Sequence, residues 1–166
     1  MAEPAAQFLV EVKSDSARLM VVGRASYLNC KGVADFFDRL FEKGICRTFC
    51  ADFKTCTGMD STFLGILAGA ALRFRRMTPQ GEMTLLNLSE RNLELVENLG
   101  LDKILTVDKS RCKAPFCDDS AVPNAPASRG TMLEAHENLV EADASNLEKF
   151  EDVISFLKRE AEGSAQ

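Results

Sequence analysis

Asp52-Phe53-Lys54-Thr55-Cys56-Thr57-Gly58-Met59-Asp60-Ser61-Thr62-Phe63-Leu64-Gly65 reads as a short apolar strand entering a turn, with an apolar helix beginning at once after it. The turn sets Asp60, Ser61 and Thr62 at the mouth of that helix, where the first backbone N–H groups lack helical partners. Asp60 suits the capping position, its carboxylate accepting from Thr62 or Phe63 or orienting Ser61. This corner has the chemistry of a modifiable surface. Asp52 and Asp60 invite a carboxylate-catalysis reading, but two acids alone supply neither a nucleophile nor a substrate geometry, and we expect no catalytic residues.

Upstream, Phe8–Val12 and Leu19–Val22 have the aliphatic content of two strands joined by a turn at Ser14-Asp15-Ser16. Val33, Phe36, Phe37, Leu40 and Phe41 then fall on one helical face, and Gly44 is placed to stop that helix. Ile45–Ala51 reads as the next strand and Ser61–Arg75 as the next helix. In that helix the small residues Gly65 and Gly69 suggest close packing on the sheet. Arg73, Arg75 and Arg76 complement its C-terminal dipole. Downstream, Met83–Leu88 forms a strand, Ser89 caps a short helix ending at Gly100, and Leu101–Val107 returns to the sheet. Strands alternating with helices predict one α/β domain over residues 1–109, a mixed β-sheet covered by helices.

Beyond it, Pro115, Pro123 and Pro126 among polar and small residues mark 110–130 as a linker. A C-terminal helical extension follows over 131–166, with a break near Ser145-Asn146. Thr131 with Glu134 and Ser145 with Glu148 resemble capping boxes. This extension either folds back on the domain, pairs with a second copy as a homodimer, or recruits a basic partner. The lone histidine, His136, is expected to face solvent on its first helix.

The 166 residues carry a formal charge of −5, and the whole imbalance lies after residue 109, where 11 acidic residues meet 6 basic ones. That balance disfavours nucleic-acid binding and anionic membranes. The N-terminus lacks a basic region followed by an apolar run, and no stretch has the length of a membrane span, so we expect a cytoplasmic protein. The spacings of Cys30, Cys46, Cys50, Cys56, Cys112 and Cys117 do not pair as thiolate metal ligands do. Cys46 and Cys50 suit buried packing, whereas Cys112 and Cys117 flank Pro115 in the proposed linker and are the better candidates for redox chemistry. Neither a metal nor a cofactor is anticipated.

Several ordered segments together resemble the STAS family, and especially bacterial anti-sigma factor antagonists. Gly23-Arg24-Ala25-Ser26 is similar to the family's turn after the second strand, and Asp52 to its acidic position after a central strand. Asp60-Ser61-Thr62-Phe63-Leu64-Gly65 resembles the Asp-Ser-Ser/Thr-Gly-Leu-Gly segment. Leu85–Ser89 and Glu97–Ile104 fit the later pattern, so the likeness spans roughly residues 8–109.

The resemblance implies a phosphoacceptor at Ser61, with Gly23, Ser26, Asp52, Asp60, Thr62 and Phe63 shaping the partner interface or supporting its loops. It also implies an anti-sigma-type serine/threonine protein kinase and an opposing protein phosphatase as partners, in transcription regulation by partner switching. A phosphate at Ser61 would bring about −1.5 to −2 charges to the helix start. Phe63 departs from the pattern, which has glycine there. An aromatic ring at that position packs in the core, fills an interface or meets a ligand. The alternative to a phosphoswitch is a constitutive STAS scaffold or small-ligand sensor.

Overall fold

The computed structural model describes residues 6–109 and 120–164. Cys112 and Cys117 lie outside the described residues.

The chain begins with β1 (Gln7–Lys13) and β2 (Ser16–Ala25), an antiparallel pair joined at Ser14, whose φ of 52° supplies the tight reversal. Helix α1 (Lys31–Lys43) ends at Gly44 in the left-handed conformation, as its position after Phe41 suggests. Next come β3 (Thr48–Met59), α2 (Ser61–Arg75), β4 (Glu82–Leu86), α3 (Glu90–Asn98), a 3-10 turn (Leu101–Lys103) and β5 (Thr106–Asp108). Finally β6 (Ser120–Val122) leads to α4 (Arg129–Ala142) and α5 (Asn146–Ser164). The six strands form one mixed sheet in the order β5-β4-β3-β2-β1-β6. Strands β2 to β5 pair in parallel, and β1 pairs antiparallel with both β2 and β6.

Two boundaries differ from the sequence expectation. The central strand runs on to Met59, because Gly23 at φ 79° lies at a register shift that lets β2 and β3 stay paired to Ala25 and Met59. Gly23 therefore lies inside a strand, and the turn comes later, at Ser26–Asn29. The second difference concerns the stretch read as a linker. Its described part is built into the fold, since β6 pairs with Phe8–Val10 and a parallel bridge joins Cys30 to Ala125.

The aromatic stripe of α1 does pack inward. Phe36 and Phe37 meet Phe49 of β3 with ring centroids 6.4 and 5.0 Å apart, and Phe41 meets Phe74 of α2 at 4.7 Å. Burial of these rings holds the helices on the sheet, each ring worth about 2–3 kcal/mol of transfer free energy. Ser89 caps α3 by accepting from Asn92 N, and Gly100 is left-handed at its end. The first tail helix is capped by Ser128, which accepts from Thr131 N, in place of the expected Thr131. The break falls where Asp143 bonds both the backbone N–H and the hydroxyl of Ser145.

Helix α2 is apolar on nearly all sides, with Thr62 through Ala68, then Ala70, Ala71 and Phe74 all buried. Such a helix needs cover on two faces. The sheet supplies one and α4 the other. A Cβ added to Gly65 would stand 2.7 Å from Ala135 Cβ and nearer still to the Ala135 carbonyl. At Gly69 it would run into the Asn138 amide. The two glycines thus admit the tail helix, not the sheet as their spacing suggested.

Candidate functional site

Ser61 is the first residue of α2, reached directly from β3 through Asp60. The Asp60 carboxylate divides its two oxygens between two segments. Oδ1 accepts from Phe63 N at 2.9 Å and caps the helix, while Oδ2 accepts from Tyr27 N at 2.8 Å. Its backbone N–H donates to Ala25 O at 3.1 Å. Asp60 therefore fastens the turn after β2 to the start of α2.

That turn is itself well determined. The Ser26 hydroxyl accepts from Leu28 N, and Asn29 spans the turn, accepting from Ser26 N and donating to Arg24 O. Ser26 is buried, whereas Tyr27 and Leu28 stay 46% and 61% exposed beside Asp60. A pair of exposed apolar side chains next to a capping carboxylate is the chemistry of a protein contact.

The Ser61 hydroxyl is engaged by a residue 75 positions away. Its Oγ lies 2.9 Å from His136 Nε2, and His136 Nδ1 lies 2.7 Å from the Met132 carbonyl. A carbonyl only accepts, so Nδ1 carries the ring proton and, in the neutral ring, Nε2 accepts from the serine O–H. His136 is only 4% exposed, and its ring stands edge-on to Phe150 of α5 with centroids 5.2 Å apart. The solvent-facing expectation for His136 is overturned. The signal that could have found it is the spacing of Met132, Ala135, His136 and Leu139, which puts all four on one face of α4.

The remaining predicted residues divide. Thr62 is buried and does not share the surface with Ser61. Phe63 is fully buried and stacks on Phe8 of β1, centroids 5.9 Å apart and planes 24° apart, which selects the core reading of the three. Asp52 does not join the site. It accepts from Lys54 N and Asn87 Nδ2, and roughly 20–25 Å of strand separates it from Asp60. It braces β3 against the left-handed Asn87 after β4. Gly23 acts through the register of β2.

Cys30 lies at the start of α1 behind this corner, and its thiol is pushed up to about 12 by burial first and the Asp60 charge second. Burial also raises Cys46 and Cys56. Cys50 is only half-buried. The arginines at the end of α2 act mainly through ion pairs, Arg73 with Asp38 at 2.9 Å and Arg76 with Glu141 of α4. Among the described residues no three His, Cys, Asp or Glu side chains are grouped to hold a metal, and no helix is long and apolar enough to cross a membrane.

The family model described as the STAS domain matches residues 7–114. No curated protein matches the chain. Among solved structures, an anti-sigma factor antagonist from Mycobacterium paratuberculosis is 14% identical, covering 64% of this chain and 87% of its own, at a TM-score of 0.54. The anti-sigma factor antagonist SpoIIAA in its unphosphorylated form is 18% identical over 62% of this chain and 88% of its own, at 0.52. The Bacillus cell fate determinant SpoIIAA in its phosphorylated form gives 18%, 62%, 92% and 0.51. At these identities the likeness carries the fold.

Proposed function

Because this chain belongs to the STAS family, we propose that it is a non-enzymatic protein-interaction switch of the anti-sigma factor antagonist kind, with Ser61 as the phosphoacceptor. The observation that carries this reading is the position of Ser61, first in α2 and directly after the capping Asp60. A phosphate placed there meets the positive end of a helix dipole and its N-terminal N–H groups.

In the switch, a serine/threonine kinase of the anti-sigma type transfers the γ-phosphoryl group of ATP to Ser61 Oγ. The Oγ–P bond forms, ADP leaves, and the hydroxyl proton passes to the kinase's base. The added charge of about −1.5 to −2 lies against Asp60 and the exposed Tyr27–Leu28 turn, so a partner resting on that turn meets both bulk and repulsion. An opposing phosphatase hydrolyses the ester and restores the neutral surface. Binding is thus controlled without rearranging the sheet, in the setting of transcription regulation by partner switching in a bacterial cytoplasm.

A second reading, a constitutive scaffold, draws on the Ser61–His136 bond, which already occupies the hydroxyl. The two part in one measurement. Peptide mass spectrometry of the protein from its native cells, with phosphatases inhibited, reads Ser61 occupancy across growth and stress conditions. Changing occupancy supports the switch. A well-observed but unmodified Ser61 peptide, with other phosphoproteins preserved, refutes it in favour of the scaffold.

A further inference from the structure

The STAS family model matches residues 7–114 and leaves α4 and α5 outside. Yet α4 sits on the face of α2 that begins at Ser61, and α5 packs in turn on α4. Three contacts run down that face in succession. His136 takes the Ser61 hydroxyl, Ala135 meets Gly65 backbone to backbone, and Asn138 donates to Gly65 O at 3.3 Å while filling the space above Gly69.

The seat of α4 is mixed in character. Ala135, His136 and Leu139 are buried in it, but its margins are exposed ion pairs, Arg76 with Glu141 and Lys103 with Asp143. Exposed pairs of this kind hold weakly in water. The connection to the domain is a strap, residues 123–128, pinned by Lys31 N donating to Ala125 O at 3.0 Å and Ala127 N donating to Tyr27 O at 2.7 Å. Tyr27 is also the residue whose N–H is held by Asp60. One turn therefore touches both the cap of Ser61 and the root of the tail.

We propose that the α4–α5 hairpin is a cover carried by the chain itself, which must lift from α2 before an enzyme or partner can reach Ser61. This rests on the switch reading for its biological use, whereas the closed state is the one the structure shows. In the closed state Oγ is bonded to His136, and the helix that would accept a visiting protein chain is occupied by α4. A kinase has to bring its active site to within bonding distance of Oγ, and in the closed state that oxygen is held by His136 at 2.9 Å on the tail side while Ser61 is only half-exposed. Lifting frees the hydroxyl and uncovers the Gly65–Gly69 face together, which couples access for the kinase to access for any partner that docks a helix there. The strap, held in the sheet by β6, keeps the hairpin tethered so that closure is intramolecular and fast.

The test uses the full chain. Ala135→Glu places a charged side chain where α4 meets Gly65 and changes no residue of the domain itself. Hydrogen exchange read by mass spectrometry is expected to show at least a hundredfold loss of protection across 129–162, with β2 and β3 unchanged. In parallel, Ser61→Cys is treated with iodoacetamide and the labelled peptide is quantified, alone and combined with Ala135→Glu. Labelling at position 61 should rise at least tenfold in the combined variant. The proposal is overturned if position 61 labels equally fast in both. It is equally overturned if Ala135→Glu leaves 129–162 protected, or if it strips protection from β2 and β3 as well, since the hairpin would then be an inseparable layer of the core. These outcomes do not depend on phosphorylation. An unmodified Ser61 in native cells with a tenfold labelling increase would defeat the switch and leave the cover standing.

Discussion

Replacing Phe63 by alanine tests whether the aromatic ring at the family's glycine position belongs to the core. The side chain is fully buried and stacked on Phe8. Truncating a buried phenylalanine costs about 3–5 kcal/mol, the lost transfer free energy plus the cavity it leaves. The Phe8–Phe63 pair adds about 0.5–1.5 kcal/mol to what burial alone gives. Phe63→Leu keeps most of the buried volume and should lose chiefly that pair term. Phe63→Gly, which restores the family residue, should be the worst of the three, since glycine in a helix costs roughly 1 kcal/mol more than alanine. Urea titration followed by far-ultraviolet circular dichroism gives the order Leu, Ala, Gly from mild to severe, as falls in midpoint at constant slope. A thermal melt should drop by about 2–4 °C for each kcal/mol in a chain of this size. If Phe63→Ala costs less than about 1 kcal/mol, the ring is not supporting the core and the interface reading returns.

Asp60→Ala removes the cap on Phe63 N and the acceptor of Tyr27 N together, for about 1–3 kcal/mol. Tyr27 is the chain's single tyrosine and there is no tryptophan, so its fluorescence anisotropy should fall as the turn loosens; unchanged anisotropy would contradict the link between the two segments. Asn146 is fully buried and donates to Leu99 O and Leu139 O at 2.9 and 2.8 Å. Asn146→Ala leaves both carbonyls without that donor, for about 2–4 kcal/mol, and hydrogen exchange should show α5 loosening first. Asp143 has its carboxyl lowered from 3.8 to about 2 by hydrogen bonds from the Ser145 side chain and backbone, then by Lys103. A lowered carboxyl gives stability that is complete above the unfolded value and lost as pH falls through the folded one. The α4–α5 corner should therefore loosen between about pH 4 and pH 2, and Asp143→Asn should remove that part of the acid sensitivity of its exchange.

Strands β1 to β5, the order of the helices and the corner at Asp60–Ser61 were legible because each depends on local chemistry, whereas β6 lay inside the stretch read as a linker. Ser89 before Glu90, Gly44 after Lys43 and Asp60 before Ser61 are caps that work through neighbours in sequence. The length of β3 was not legible. Gly58 and Thr57 read as turn residues, and only pairing with β2, through the shift at Gly23, keeps them in a strand. His136 was missed because the face it shares with Met132, Ala135 and Leu139 is only weakly apolar and does not name the surface it packs against. Its partner lies 75 residues away, and a distance of that kind is set by the packing of α4 on α2.

The helix α2 nevertheless declared that something must cover it. Buried positions run without a polar stripe from Thr62 to Ala68 and resume at Ala70, Ala71 and Phe74. One sheet can bury only one side of such a helix, so its outer side requires a second layer, and Gly65 and Gly69 mark where that layer comes close enough to exclude a side chain. When α4 lifts, the outer face loses its cover and apolar surface meets water, an unfavourable state at about 25 cal/mol per Å². A partner that docks there returns that cost, which makes the lifted form one that binding stabilises rather than one the free chain occupies at length. The same apolar face that holds the cover down is thus what gives a partner its reason to replace it, and Ser61, at the head of that face, lies where a charge bears on either occupant.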